Sequence, residues 1–167
     1  MQLKFCCAKI TTGNKGEHKM NMSLLKVISI LSCFIGAVCG FLSVLPYIGS
    51  LAFLILLCFS AVIVIIFLMR VGALRLESVP ESITIGGIVG FISFLVFSLI
   101  YMPLVIILVR VFHYSSNYGV AIFLGHANIF VVIVCAIFLA ILSATINAFS
   151  GFLIYYITET INNLSKK

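Results

Sequence analysis

The chain has 167 residues, of which 63% are hydrophobic and only 8% are charged, and its mean hydropathy is +1.34. A soluble domain carries roughly 25% charged residues, so the composition excludes an ordinary soluble protein and predicts an all-α integral membrane protein. The formal net charge of +6 does not indicate a nucleic-acid partner, because Lys and Arg lie between apolar blocks and form no single basic patch.

Residues 1–22 form a polar, basic segment that differs in composition from the rest of the chain. The stretch from Lys15 to Met20 can be encoded with a purine-rich GGAG ahead of the Met20 codon, which would serve as a bacterial ribosome-binding site. We therefore expect translation to start at Met20 and residues 1–19 to be a leader outside the protein. In the alternative, the tail is translated and Cys6-Cys7 is an acylation site in a eukaryotic cell.

Four uncharged runs predict a four-helix membrane domain over residues 23–158, followed by a C-terminal tail over 159–167. Each run can cross ~30 Å of hydrocarbon as a helix, and together they cover residues 27–45, 51–69, 83–109 and 129–157. The first two runs are separated by so short a segment that they should form a tight hairpin. The last two exceed a straight crossing, so we expect them to tilt, protrude or break, at Pro103 and within 143–151.

Small residues at four-residue spacing predict where these helices pack. In lipid, such residues let two backbones approach and gain dispersion contacts. The first run carries Gly36 and Gly40, the third carries Gly86 and Gly90, and the fourth carries an alanine ridge of Ala136, Ala140, Ala144 and Ala148. The second run has no such face, and we therefore expect it to contact lipid most, with Leu56 on the lipid side.

An internal similarity relates the first and third runs. Residues 36–45 align with residues 86–95 at an offset of 50, and five of the ten positions are identical. Both segments cross the membrane in the same direction. If the match is structural, the protein consists of two helical hairpins in a parallel repeat about an axis along the membrane normal.

The distribution of Lys and Arg predicts the orientation of the helices. Basic residues near span ends are retained on the cytoplasmic side. With both termini in the cytoplasm, nine of the ten basic residues lie inside and only Arg110 lies outside; for a start at Met20, five lie inside and one outside. We expect a multi-pass protein of the cell membrane, with a bacterial inner membrane favoured.

Few residues in the sequence could carry chemistry. Asn147 is the most polar side chain within the apolar runs, and an unpartnered amide in lipid would cost a few kcal/mol, so it should point into the bundle. A hydrogen bond between helices is favoured over a ligand contact. The segment 102–128 gathers Arg110, His113 and His126. Arg110 could hold a lipid phosphate and the histidines could bind metal, but a solvated loop at the lipid surface is favoured.

These observations predict a small, non-enzymatic integral subunit or organising protein that acts through helix packing and lipid contact. No cofactor or metal is expected, and the partners would be membrane lipids, other membrane proteins or a second copy. The alternative is an oligomeric channel or facilitator for a small neutral or anionic solute, with Asn147 lining the path and Arg110 at its mouth. A weaker alternative is an enzyme that uses the outer His and Tyr residues.

Overall fold

The computed structural model describes residues 22–45, 48–74, 78–113 and 118–164, which form five helices. Their bounds are α1 Met22–Leu42, α2 Ile48–Arg70, α3 Val79–Phe112, α4 Tyr118–His126 and α5 Ile129–Leu164. The expected start at Met20 and the alternative acylation site at Cys6-Cys7 lie outside the described residues.

Four of the five helices are long and apolar enough to cross a membrane, namely α1, α2, α3 and α5. The structure is about 92% helical, and the part of the chain that it describes contains no strand. The predicted all-α class with four spanning helices is therefore confirmed. The remaining helix, α4, is short and lies in the segment that joins the third and fourth spans.

The two longest helices continue through the positions where breaks were considered. Helix α3 has 34 residues and includes Pro103, and α5 has 36 residues and includes the polar stretch 143–151. At 1.5 Å per residue they measure about 51 Å and 54 Å, so they must tilt in, or extend beyond, a hydrocarbon layer of ~30 Å. Of the three expected outcomes, a break is absent from both helices. In α5, the side chains of Ser143, Asn147 and Ser150 bond to neighbouring helices.

The core lies where α3 packs against α1, α2 and α5, and where α2 also packs against α1 and α5. One apolar cluster centres on Val64 and Ile65 of α2 with Ile85 and Val89 of α3. A second cluster contains Leu56 of α2 and the α3 side chains Phe94 and Phe97. Helix α5 is the most exposed spanning helix, with 17% of its most apolar window buried, against 39% for α2.

The prediction that the second span contacts lipid most is wrong. Leu56 is completely buried, and so are Ala61, Val64 and Ile65 of the same helix. Core and lipid are both apolar, so a helix that is hydrophobic on all sides carries no sequence signal for the side that faces the protein. The absence of a small-residue face did not keep α2 at the surface, because its bulky side chains fill the space between α1, α3 and α5.

The contacts between helices are not symmetric under the parallel repeat. A two-fold axis that exchanged α1 with α3 and α2 with α5 would turn the α2–α3 contact into an equivalent α1–α5 contact. Helix α2 packs against α3, whereas no comparable contact joins the described parts of α1 and α5. The matching segments 36–45 and 86–95 share a local feature, since each places glycines against a neighbouring helix.

Candidate functional site

The most polar group inside the bundle is the side chain of Asn147, which lies on α5 and is completely buried. Its Oδ1 accepts hydrogen bonds from the backbone N–H of Ala61 at 2.9 Å and from the hydroxyl of Ser60 at 3.0 Å. Its Nδ2 donates to the backbone carbonyl of Leu57 at 2.8 Å. All three partners belong to α2, so a single carboxamide fixes two spanning helices to each other.

The two backbone partners of Asn147 are themselves a natural pair. In a regular α-helix the N–H of residue i donates to the carbonyl of residue i−4, which in α2 joins Ala61 to Leu57. The Asn147 carboxamide contacts both of these groups, as a side chain that inserts into the backbone ladder of a neighbouring helix does. The orientation of the amide follows from its partners, since an N–H can only donate and a carbonyl can only accept.

Hydroxyl groups extend this arrangement along α5. Asn147 Nδ2 also donates to the carbonyl of Ser143 at 2.9 Å, and the Ser143 hydroxyl donates to the carbonyl of Gly90 on α3 at 3.2 Å. The Ser150 hydroxyl lies 3.1 Å from the carbonyl of Cys58 on α2. On the α3 side, the Ser82 hydroxyl donates to the carbonyl of Gly151 at 2.6 Å. We call these side chains the polar seam, and they are Ser60, Ser82, Ser143, Asn147 and Ser150.

Glycines allow the seam to form, because they bring α3 and α5 into close contact. A Cβ at Gly86 would overlap the carbonyl oxygen of Asn147, and a Cβ at Gly90 would lie 2.7 Å from both the Asn147 Cβ and the Ser143 carbonyl oxygen. Gly151 on α5 meets the Ser82 carbonyl in the same way. The sequence pattern singled out Gly86 and Gly90, whereas the partner positions Ser82 and Gly151 were not identified as a pair.

Glycines also lie at the contact between α1 and α3. A Cβ at Gly36 would overlap the carbonyl oxygen of Ser93, and a Cβ at Gly40 would lie 3.2 Å from side-chain atoms of Ile100. The Ser93 hydroxyl is fully buried and has no hydrogen-bond partner among the described residues. This contact therefore combines close backbone packing with an unsatisfied polar atom.

The alanine ridge of α5 is divided between two environments. Ala136 and Ala140 are buried, and Ala140 belongs to the cluster around Phe94. Ala144 and Ala148 are partly exposed and line a groove of about 650 Å³ between α1 and α5, with α3 as its floor. We call this feature the lateral groove. Gly87 of α3 and Leu25 of α1 also line it.

The candidate residues of the segment 102–128 do not lie beside Asn147. Arg110 is exposed in the last turn of α3, 24 residues beyond Gly86, which is a distance of about 36 Å along the helix axis. His113 ends α3 in a left-handed conformation with φ 51°, and its N–H donates to the carbonyl of Leu108. His126 lies in the last turn of α4 with Nδ1 3.1 Å from the carbonyl oxygen of Ile122. The structure therefore does not bring Arg110 and Asn147 to a common site.

Comparisons with known proteins add no functional information about this site. No family model matches the sequence, and no curated protein or solved structure matches the chain. The fold and the site together define a multi-pass membrane protein with four spanning helices. Within the described residues, no three His, Cys, Asp or Glu side chains lie together as a metal site would require.

Proposed function

We propose that this protein is a non-enzymatic integral membrane subunit or organising protein that acts through helix packing and lipid contact. The observation that carries the proposal is the hydrogen bonding of Asn147. Its Nδ2 donates one hydrogen bond to α2 and one within α5, and its Oδ1 accepts two hydrogen bonds from α2. A residue that lines a solute path presents polar atoms to the path, whereas this one holds the bundle together.

The remainder of the polar seam supports the same interpretation. The hydroxyls of Ser82 and Ser143 are buried and donate to carbonyl groups across the α3–α5 contact. Hydrogen bonds of this kind join helices in membranes, where no water competes for the polar groups. Their role is therefore to fix the relative positions of α3 and α5, which suits a protein that presents a defined surface to its neighbours.

A channel for a small neutral or anionic solute is the alternative, and transport measurements discriminate the two. Purified protein is reconstituted into vesicles, and the release of glycerol and of chloride is followed. We expect release at the rate of protein-free vesicles. Release that requires the protein and is altered by Asn147→Ala would overturn the proposal in favour of a channel. An enzyme that uses His113 or His126 is a weaker alternative.

The proposed partners are membrane lipids together with other membrane proteins or a second copy of the chain. Purification in a mild detergent tests for a protein partner. A subunit is expected to retain one particular membrane protein, or a second copy, in fixed stoichiometry through a second column. A monomer that carries lipid only would restrict the organising role to lipid contact.

We further infer that both termini lie in the cytoplasm and that the membrane is a bacterial inner membrane. The distribution of basic residues supports the orientation, with nine of the ten being inside. The bacterial inner membrane remains a prediction from the sequence. Reporter fusions after Ile48, Leu76, Asn117 and Ser165 should read outside, inside, outside and inside. A cytoplasmic reading after Asn117 would contradict this orientation.

A further inference from the structure

The lateral groove is a concave feature on the lipid side of the bundle. It arises because α1 and α5 both pack against α3, while the described parts of α1 and α5 make no comparable contact with each other. Its floor is formed by α3 residues that include Gly87 and Phe91, and its α5 wall includes Ala144 and Thr145. A Cβ at Gly87 would still lie 3.8 Å from its nearest neighbours. The α3–α5 contact is therefore looser at Gly87 than at Gly86, on the side that faces the groove.

The size of the groove favours a narrow occupant. An α-helix about 10 Å in diameter occupies on the order of 400 Å³ per turn, so a volume of about 650 Å³ holds less than two turns of a neighbouring helix. The lining residues of α5 extend from Ile141 to Ala148, a rise of about 10 Å. This is comparable to one leaflet of hydrocarbon, half of ~30 Å. An extended acyl chain fits both the volume and the length of the groove.

A positive charge at the end of the groove favours a lipid with an anionic headgroup. The groove ends beside Leu25, the fourth residue of α1, and the next residue along the chain is the exposed Lys26. A lysine near the end of a spanning helix extends its ammonium group to the membrane surface, where the phosphates of lipid headgroups lie. The first turn of α1 contains no acidic residue.

We propose that the lateral groove binds one acyl chain of an anionic phospholipid, with Lys26 contacting the headgroup. The inference rests on the proposed function, since it identifies the lipid class behind the expected lipid contact. The hydrocarbon chain lies against Phe91 and the small residues of α5, and the ammonium group of Lys26 favours a headgroup with net negative charge.

The chain has no Trp, so a single substitution introduces a unique fluorophore. Phe91→Trp places it in the groove. Phe34→Trp is the matched control, since Phe34 lies on α1 outside the groove with a 65% exposed side chain. Gly36 of α1 packs against Ser93 of α3. Phe34 lies two residues before Gly36 and Phe91 lies two residues before Ser93, so the two positions are at the same depth in the membrane. Each variant is reconstituted into mixed bilayers of phosphatidylglycerol and phosphatidylcholine, one of them carrying brominated chains that quench Trp.

For Phe91→Trp, the relative binding constant of phosphatidylglycerol over phosphatidylcholine should be about five, the effect of one lysine near a membrane surface. It should return to about one when Lys26→Gln is added. For Phe34→Trp the ratio should be about one throughout. Adding Thr145→Phe, which fills the groove, should remove the preference at Phe91→Trp. Thr145 suits this purpose because its side chain is exposed and its hydroxyl bonds only to Leu142 of the same helix.

A ratio of one for Phe91→Trp would overturn the lipid assignment. So would weaker quenching there than for Phe34→Trp, which would show that protein, such as a second copy, covers the groove. Native mass spectrometry gives an independent measurement without the fluorophore. The unmodified chain should retain one phosphatidylglycerol that the Thr145→Phe variant loses, and equal retention would contradict the proposal. Failure here leaves the transport and purification tests unaffected, so the two proposals fail separately.

Discussion

Helix α3 packs closely against both α1 and α5, and the two contacts differ in how their buried hydroxyl groups are hydrogen-bonded. Both place glycines where the backbones meet, Gly36 against Ser93 and Gly86 against Asn147. At the α5 contact, buried hydroxyls such as that of Ser82 donate to carbonyl groups of the facing helix. At the α1 contact, the Ser93 hydroxyl is buried without a partner among the described residues.

The difference shows that a small-residue pattern specifies close approach but not how polar groups are satisfied. Dispersion between backbones is available at both contacts, because glycines remove the side chains that would hold the helices apart. Among the hydrogen bonds described above, those that join α3 to another helix lie at its α5 contact, where donors and acceptors stand at matching heights along the two helices. We therefore expect the α3–α5 contact to be the more rigid of the two and the more sensitive to substitution.

Substitution of the glycines by isoleucine should have the largest effect and should differ between the contacts. Gly90→Ile would force a branched side chain against the Asn147 side chain and the Ser143 carbonyl, neither of which can move without breaking the seam. Gly40→Ile would meet mainly the side chain of Ile100. Overpacking costs about 1–3 kcal/mol, and we expect Gly90→Ile at or above the upper end and Gly40→Ile near the lower end. Thermal unfolding in detergent measures both.

Two controls accompany these variants. Gly87→Ala adds a Cβ in ordinary van der Waals contact and should leave the unfolding temperature unchanged or slightly higher. Leu99→Ile exchanges one lipid-facing side chain for another, since Leu99 is 73% exposed. Leu56, which the sequence had assigned to lipid, cannot serve as this control because it is buried. Equal losses at Gly90 and Gly40 would show that the hydrogen-bonded seam adds no sensitivity.

Removal of the Asn147 carboxamide should have an intermediate effect. Asn147→Ala leaves the Ser60 hydroxyl without its acceptor and opens a cavity, but the Ala61 N–H and the Leu57 carbonyl have the spacing of paired groups within α2. We expect a loss of about 1–3 kcal/mol in the free energy of unfolding, together with changed hydrogen exchange at the Ala61 amide. The control is Thr145→Ala, whose exposed hydroxyl bonds only within α5. An Asn147→Ala variant as stable as this control would remove the seam as the basis of helix association.

The sequence was sufficient to predict four spanning helices, since long uncharged runs have one stable conformation in lipid. It also indicated that Asn147 points inward, because the alternative is an unpartnered amide in hydrocarbon. The partners of Asn147 could not be predicted, because two of them are backbone groups of α2 that any residue supplies. The burial of Leu56 was missed for a different reason, since leucine is equally suited to a protein core and to lipid.

The smallest expected change in stability comes from two serine substitutions on α3. Their comparison is the most direct test of the difference between the contacts, because Ser82 lies at the α5 contact and Ser93 at the α1 contact. Ser82→Ala removes a hydrogen bond to the Gly151 carbonyl and should lower stability by about 0.6 kcal/mol, the average for such bonds in a membrane protein. Ser93→Ala removes a buried hydroxyl that has no partner among the described residues, so stability should be unchanged or rise by up to about 1 kcal/mol. Chemical unfolding in mixed micelles resolves the sign. A loss of stability in Ser93→Ala comparable to that in Ser82→Ala would mean that the Ser93 hydroxyl is bonded in the membrane, and the α1 and α5 contacts would then differ only in their glycines.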